Sequence, residues 1–245
     1  MTQALRIISS MATKQLLADL IDLYQKAHPT HPPQEIQLES VGGVDAAKRV
    51  QAGEAFDVVA LAANAIEQLM ADGKLMAGSR VDVVNSGVAV AVQAGSRRPD
   101  ISTEAALKQV VLNAPSLGFS TGPSGVQLAK LFERWGISAQ IQNRIVTAPP
   151  GVPVGSLVAK GEVALGFQQL SEMVSQPGIE VLGPLPPEVQ ITTTFCAALA
   201  TSSANADAAR ALLAFLASPA TADVKRHNDD SFSANMGVSS IASTE

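Results

Sequence analysis

The chain has 245 residues, 47% of them apolar and 16% charged, and 17 Lys and Arg against 22 Asp and Glu give a net charge of -5. This length suits two mixed lobes of about a hundred residues each, and the apolar content excludes a disordered tail. The negative balance argues against general affinity for nucleic acid or anionic membrane, and one cysteine with three scattered histidines excludes a C-x-x-C zinc framework and an internal disulfide.

From Ala4 onward, short apolar runs bounded by Gly and Pro alternate with amphipathic stretches, which predicts an α/β fold with a largely parallel sheet flanked by helices. Leu5 to Ile8 reads as a buried strand. Ser9-Ser10 is expected to stop it and cap a helix whose apolar face is Leu16, Leu17, Leu20, Ile21 and Tyr24. A strand over Ile36 to Leu38 leads through Val41-Gly42-Gly43 into a short helix, Val44 to Ala52, ended by Gly53. Phe56 to Ala62 is the next strand, and Asn64 with Glu67 suggests a capping box for a helix that Gly73 terminates.

Val81 to Val92 is a long strand-like run, interrupted at Asn85-Ser86-Gly87, that suits a crossing from one lobe to another, and Gln190 to Thr201 is a second. Between them lie strand Ser116 to Phe119, helix Ser124 to Trp135, strand Arg144 to Val146, helix Val152 to Lys160 and strand Val163 to Phe167, a second α/β unit. Pro184-Leu185-Pro186-Pro187 is a rigid connector. After Thr201 a helix capped by Asn205 buries Ala208, Leu212, Leu213 and Leu216, and Ser218-Pro219 opens another; this tail returns to the first lobe. The division expected is 1–83 plus 193–245 against 84–192. No apolar stretch approaches the roughly 20 residues that span a bilayer, so a soluble chain is expected. No charged n-region and apolar h-region precede Arg6, so a signal peptide is expected to be either absent or already removed.

Ligands of open α/β sheets collect beyond the carboxyl ends of the strands, where Ser9-Ser10-Met11, Val41-Gly42-Gly43, Ser120-Thr121-Gly122-Pro123-Ser124-Gly125 and Pro149-Pro150-Gly151-Val152-Pro153 all fall. Free N–H groups at helix starts suit a carboxylate or another oxyanion, so ends facing one cleft would clamp an anion. The competing reading of each turn is helix capping, but two glycines and three hydroxyls in the Ser120 to Gly125 turn exceed what capping needs. Lys14 and Lys48 follow the first two turns by one helical turn and reach an anion there or lie solvated, and Gln168 and Gln169 follow a strand end. No G-x-G-x-x-G, P-loop or G-x-S-x-G is present, Cys196 lies in an apolar strand pattern expected to bury an inert thiol, and His28, His31 and His227 sit in loop or tail contexts without catalytic spacing.

Three segments carry a resemblance that covers nearly the whole chain: Ile7 to Lys14, Ala47-Lys48-Arg49-Val50-Gln51-Ala52-Gly53 before Phe56-Asp57-Val58-Val59, and Gly161-Glu162-Val163-Ala164-Leu165-Gly166-Phe167. They resemble the two-lobed (type II) periplasmic solute-binding proteins, in particular the molybdate-binding branch. The resemblance implies two α/β lobes with mixed sheets, two crossing strands as hinge near Asp82 to Val92 and Gln190 to Leu199, and a small anionic ligand closed between the lobes. It also implies a periplasmic location, a monomer, no cofactor or metal, and an ABC permease as partner if the protein is a transport receptor. Ser40-Val41-Gly42-Gly43-Val44 departs from the serine-rich turn of that branch, and Gly166-Phe167-Gln168-Gln169 from its aromatic and acidic ending, so a larger organic anion is expected rather than a tetrahedral oxyanion.

The wording also resembles the aconitate isomerase family, enzymes built on this binding-protein fold. That implies an isomerase interconverting trans- and cis-aconitate by an allylic proton shift, with Ser9, Ser10, Met11, Gly42, Gly43, Lys48, Ser120, Thr121, Gly122, Ser124, Gly125, Val152 and Gln168 around the ligand. Lys14, Lys48 and Asp45 are the candidates for the proton-carrying group, Lys14 first, and the spacing singles out none of them. A passive receptor for the anion needs only the clamp and lobe closure, and is the competing function.

Overall fold

Strand β1 (Leu5–Ser10) is buried at nearly every position because helices cover both faces of its sheet, which is why it reads as a continuous apolar run rather than an alternating one. The computed structural model describes residues 4–29, 34–149 and 151–226. In chain order β1 is followed by a 3-10 turn at Met11–Thr13, α1 (Lys14–Ala27), β2 (Ile36–Val41), α2 (Gly43–Gln51), β3 (Val58–Ala62), α3 (Ala63–Ala71) and the long β4 (Val81–Gln93). Then come α4 (Glu104–Asn113), β5 (Leu117–Ser120), α5 (Pro123–Arg134), α6 (Ser138–Ile141), β6 (Ile145–Ala148), α7 (Val154–Ala159) and β7 (Leu165–Gln169). After these come α8 (Leu170–Met173), β8 (Ile179–Pro184), β9 (Thr192–Leu199), α9 (Ala206–Leu216) and a 3-10 turn at Pro219–Thr221.

The strand order is β2-β1-β3-β9-β4-β7-β5-β6, with β8 also pairing β4. Pairing is parallel within each α/β unit, β1 with β2 and β3, and β5 with β6 and β7. Every pairing of β4 and β9 is antiparallel, so the sheet is mixed rather than largely parallel. The reason lies in β4 itself: residues 81–87 pair with β9, and from Val88 onward the strand pairs with β7 and β8. One strand thus belongs to both sheets.

Separate cores pack on the two parts. In the first, Leu16, Leu17, Leu20 and Ile21 of α1 pack with Leu212, Leu213 and Leu216 of α9 on one sheet face, while Ala46, Val50, Ile66 and Leu69 of α2 and α3 fill the other. The leucines and Ile21 of the period-3.6 faces expected for α1 and α9 are buried, each Leu contributing about 1.5–3 kcal/mol, whereas Tyr24 and Ala208 are half-buried and Ala209 and Phe215 are buried instead. The second core centres on Phe132, whose ring meets Phe119, Trp135 and Phe167 at centroid distances of 6.1, 5.8 and 6.0 Å.

Three local expectations are corrected. Ser9-Ser10 does not cap α1: both residues stay in β1, paired with Ser40 and Val41, and the 3-10 turn intervenes before the helix. The Asn64 and Glu67 capping box does not form, because β3 runs through Ala62, paired with Phe195, and α3 starts directly at Ala63, leaving Asn64 inside the first turn. Asn205 is the N-cap residue of α9, yet its side chain makes no cap bond and reaches instead to Asp57 Oδ2 at 3.2 Å and the Ala4 carbonyl at 3.4 Å. Asp57, buried at the start of β3, also accepts from the Arg6 N–H at 2.8 Å and from Ser203 at 2.7 Å. Burial alone would push its carboxyl up, but these donors win and hold it below the usual Asp value.

Candidate functional site

The carboxyl ends of β1, β2, β5 and β6 lead directly into the polar turns, and β7 leads straight into α8. The short α8, which follows β7, packs on the 3-10 turn Met11–Thr13 that follows β1. Across from it, the place a side chain would take at Gly42 is bounded at 3.4 Å by the backbone nitrogen of Gly151, in the turn before α7. Gly42 therefore lets the two halves approach backbone to backbone. Gly43 faces Ser10 in the same way, a Cβ there lying 3.5 Å from that of Ser10.

Ser10 is only 6% exposed, and its Oγ has no hydrogen-bond partner. A buried hydroxyl left unpaired costs roughly 1–3 kcal/mol, and no other group of the fold offsets that cost at Ser10. Ser9 behaves differently. Its hydroxyl is engaged with Ser40 Oγ at 2.7 Å and the Ser10 carbonyl at 3.2 Å, and ties β1 to β2.

In the other half, Ser124 is buried in the first turn of α5, with Ser120 half-buried and Thr121 exposed before it. Ser120 Oγ accepts from the Gly122 N–H at 3.3 Å. Gly125 has a packing role: a Cβ there would lie 1.7 Å from the Ser120 carbonyl oxygen, so only glycine lets α5 leave the end of β5 at this angle. The Val152 N–H is taken by the Pro149 carbonyl at 3.0 Å, closing the turn around Gly151, whose φ of 75° suits glycine. Pro150, His31 and His227 lie outside the described residues. His28 is exposed at the end of α1, stacked beside Tyr24 at 4.7 Å. Met11 is half-buried in the 3-10 turn.

Lys14 opens α1 directly after that turn and is exposed, and Lys48 is exposed in the last turn of α2, away from the helix start it was expected to serve. Asp45 sits in the first turn of α2 with its Oδ2 3.4 Å from the Cβ position of Gly42. Cys196 is fully buried in β9 and donates to Asp82 at 3.1 Å; burial, with that carboxylate beside it, pushes its thiol up to about 12, as an inert thiol requires.

Gln168 is where the structure adds most. It is 6% exposed at the end of β7, its Oε1 accepts from the Gly155 N–H at 3.1 Å and its Nε2 donates to Glu172 at 2.5 Å. Burial pushes the Glu172 carboxyl up to about 7, against the opposing effect of the Gln168 hydrogen bond. The sequence reading missed Glu172; Gln168 ends a strand and Glu172 lies in the short helix that follows, so no regular spacing links the two and only the fold brings them together. Gln169 points to the opposite face of the strand, donates to Thr193 at 2.8 Å, and keeps its Oε1 buried without a partner. A cavity of about 950 Å³ lies elsewhere, at the far end of β4 beside Arg97, Asp100 and Asn113, remote from every polar turn.

Two α/β units joined by antiparallel crossing strands, with unpaired polar groups where they meet, are the architecture of a binding-protein fold. The periplasmic molybdate-binding protein of Azotobacter vinelandii superposes with a TM-score of 0.71 at 18% identity, covering 91% of this chain and 97% of that one. The tungstate ABC transporter structure from Geobacter sulfurreducens gives 0.71 at 16% identity, covering 91% and 98%. Residues 5–228 match the family described as bacterial extracellular solute-binding protein, and the chain belongs to that family. An aconitate isomerase from Pseudomonas sp is 41% identical over 173 residues, 69% of this chain and 65% of that protein, so the match spans slightly under two thirds of the relative's length.

Proposed function

We propose that the protein is an isomerase that interconverts trans- and cis-aconitate by an allylic proton shift between its two lobes. The observation that carries this reading is the 41% identity to an aconitate isomerase, a far closer relation than that to the structurally similar oxyanion-binding proteins. A second observation supports it: α8, which carries a carboxyl that burial pushes up to about 7, packs on the 3-10 turn after Ser10. We place the lobes at 1–83 plus 193–245 and 84–192, in keeping with the change of partner along β4. Ser10 and Ser124 would contact the ligand from opposite lobes, with Lys14 contributing positive potential beside them. The location we propose is the periplasm, and the working form a monomer.

The family membership favours a second reading, a receptor that closes on a small organic anion and passes it to an ABC permease without changing it. Incubating the purified protein with trans-aconitate and following both isomers by chromatography separates the two. Conversion at a rate proportional to enzyme is the expected outcome. Calorimetric binding of trans-aconitate with no conversion establishes the receptor instead, and micromolar molybdate binding with no heat from any polycarboxylate overturns both.

A further inference from the structure

An allylic isomerisation needs one group that removes a proton from carbon and returns it two carbons along, and the exposed Lys14 is poorly sheltered for that role. The short α8, which packs from the second half on the 3-10 turn after β1, carries a better placed group. Glu172 is turned back onto Gln168, which is anchored at its other end by the Gly155 N–H, so the carboxylate is held in a fixed orientation by two successive hydrogen bonds. The same element packs on the 3-10 turn that begins directly after Ser10, whose buried hydroxyl has no partner. An anchored carboxyl and an unpartnered donor thus flank the place where the halves meet.

Resting on the isomerase reading, we infer that Glu172 is the proton carrier of this site and Gln168 the residue that positions it. In the forward step the Glu172 carboxylate takes a proton from the substrate methylene carbon, and the C–H electron pair spreads across the allylic carbons into the attached carboxylates. The Glu172 carboxyl then delivers a proton to the far allylic carbon, where a new C–H bond forms, the double bond moves one position and the carboxylate is restored. No oxidant, reductant or other co-reactant is consumed.

Burial sets the titration of Glu172 near pH 7, with the Gln168 hydrogen bond as the opposing influence. The elements packed most closely on α8 bring little other charge. The 3-10 turn and β7 carry no titratable side chain; β4 contributes Asp82, bonded to Arg80 and Cys196, and β8 contributes Glu180, paired with Arg98. Lys14, next after the 3-10 turn, is the nearest cation in the chain on that side.

The test uses the full chain with trans-aconitate and three variants, Glu172→Gln, Glu172→Asp and Gln168→Ala. For the wild type, kcat/KM is expected to fall on the acid side of about pH 7. Glu172→Gln should lose turnover at least about 100-fold while calorimetric affinity for trans-aconitate stays within a few-fold, and Glu172→Asp should recover part of the loss. Gln168→Ala should move the acid limb to higher pH by about one unit, because it removes a donor to the ionised carboxylate; a residue that only props up α8 would lower activity without moving that limb. If Glu172→Gln does not fold, the Gln168→Ala profile decides, and an unmoved limb overturns the inference. Turnover by Glu172→Gln within several-fold of the wild type, or equal loss of binding and turnover, also overturns the assignment while leaving the isomerase reading intact. A wild type that binds trans-aconitate without converting it overturns the isomerase reading itself, and this inference with it.

Discussion

Ser10 keeps a buried hydroxyl unpaired, and Glu172 keeps a carboxyl where burial makes its ionisation costly. An unpartnered buried hydroxyl lowers stability, so Ser10→Ala should unfold no more easily than the wild type and gain up to about 1 kcal/mol, while losing roughly 10- to 150-fold in affinity for trans-aconitate, the usual range for a donor to a charged acceptor. Ser124→Ala should show a similar loss of affinity from the other half. Calorimetry beside thermal unfolding checks both, and unaltered affinity in the two variants would remove these hydroxyls from the site. Glu172 gives a pH-dependent counterpart. Its folded carboxyl titrates at about 7 against an ordinary 4.5, so between those values the folded chain holds a proton that the unfolded chain has released. The stability it contributes is fully present below about pH 4.5 and is lost as pH rises through 7. Glu172→Gln should therefore be more stable than the wild type at pH 8, by up to roughly 3 kcal/mol, with the advantage shrinking toward pH 5. Urea unfolding at the two pH values measures this, and parallel pH dependence of the two proteins would contradict it.

Helix α5 shows how an element can be positioned by one missing side chain. Its first turn follows β5 so tightly that a Cβ at Gly125 would overlap the Ser120 carbonyl oxygen, a backbone atom that cannot swing away. Gly125→Ala should cost about 3 kcal/mol through displacement of the helix start, and should weaken ligand binding by moving Ser124 with it. A denaturant midpoint equal to that of the wild type would show that the turn relaxes freely. The sequence marked this turn as rich in glycine and hydroxyls, yet Gly125 serves the packing of the turn, Ser120 bonds within it, and Ser124 is the buried hydroxyl. The same sorting separates Ser9, whose hydroxyl joins two strands, from Ser10 next to it, because consecutive residues of a strand point to opposite faces.

At the scale of the molecule, the two halves touch through α8 on the 3-10 turn and through the close approach of Gly42 to Gly151. The antiparallel crossing strands β4 and β9 leave each half with its own core, so relative movement of the halves need not break either one. Gly42→Val would place branched carbons in the 3.4 Å gap and hold the halves apart. It should lower affinity for trans-aconitate about tenfold, a change of about 1.4 kcal/mol, while leaving the unfolding temperature of the unliganded protein within a few degrees of the wild type. Calorimetry and small-angle scattering with and without ligand test this; full affinity with normal compaction would show that the gap is not needed for closure.

The sequence by itself determined the α/β alternation, the buried faces of α1 and α9, the two long crossing strands and the polar turns at the strand ends. Each follows from local patterns: period-3.6 apolar faces, continuous apolar runs in strands covered on both sides, and glycine or hydroxyl residues at strand ends. Tertiary structure alone decided which turn residues are free. Whether a hydroxyl is engaged, as in Ser9, or unpaired, as in Ser10, depends on partners such as Ser40 that lie about thirty residues away in the chain and one strand away in space. It also decided the ionisation of Glu172, since the shift comes from burial where α8 packs between β7, β8, β4 and the turn after Ser10, elements drawn from opposite ends of the chain.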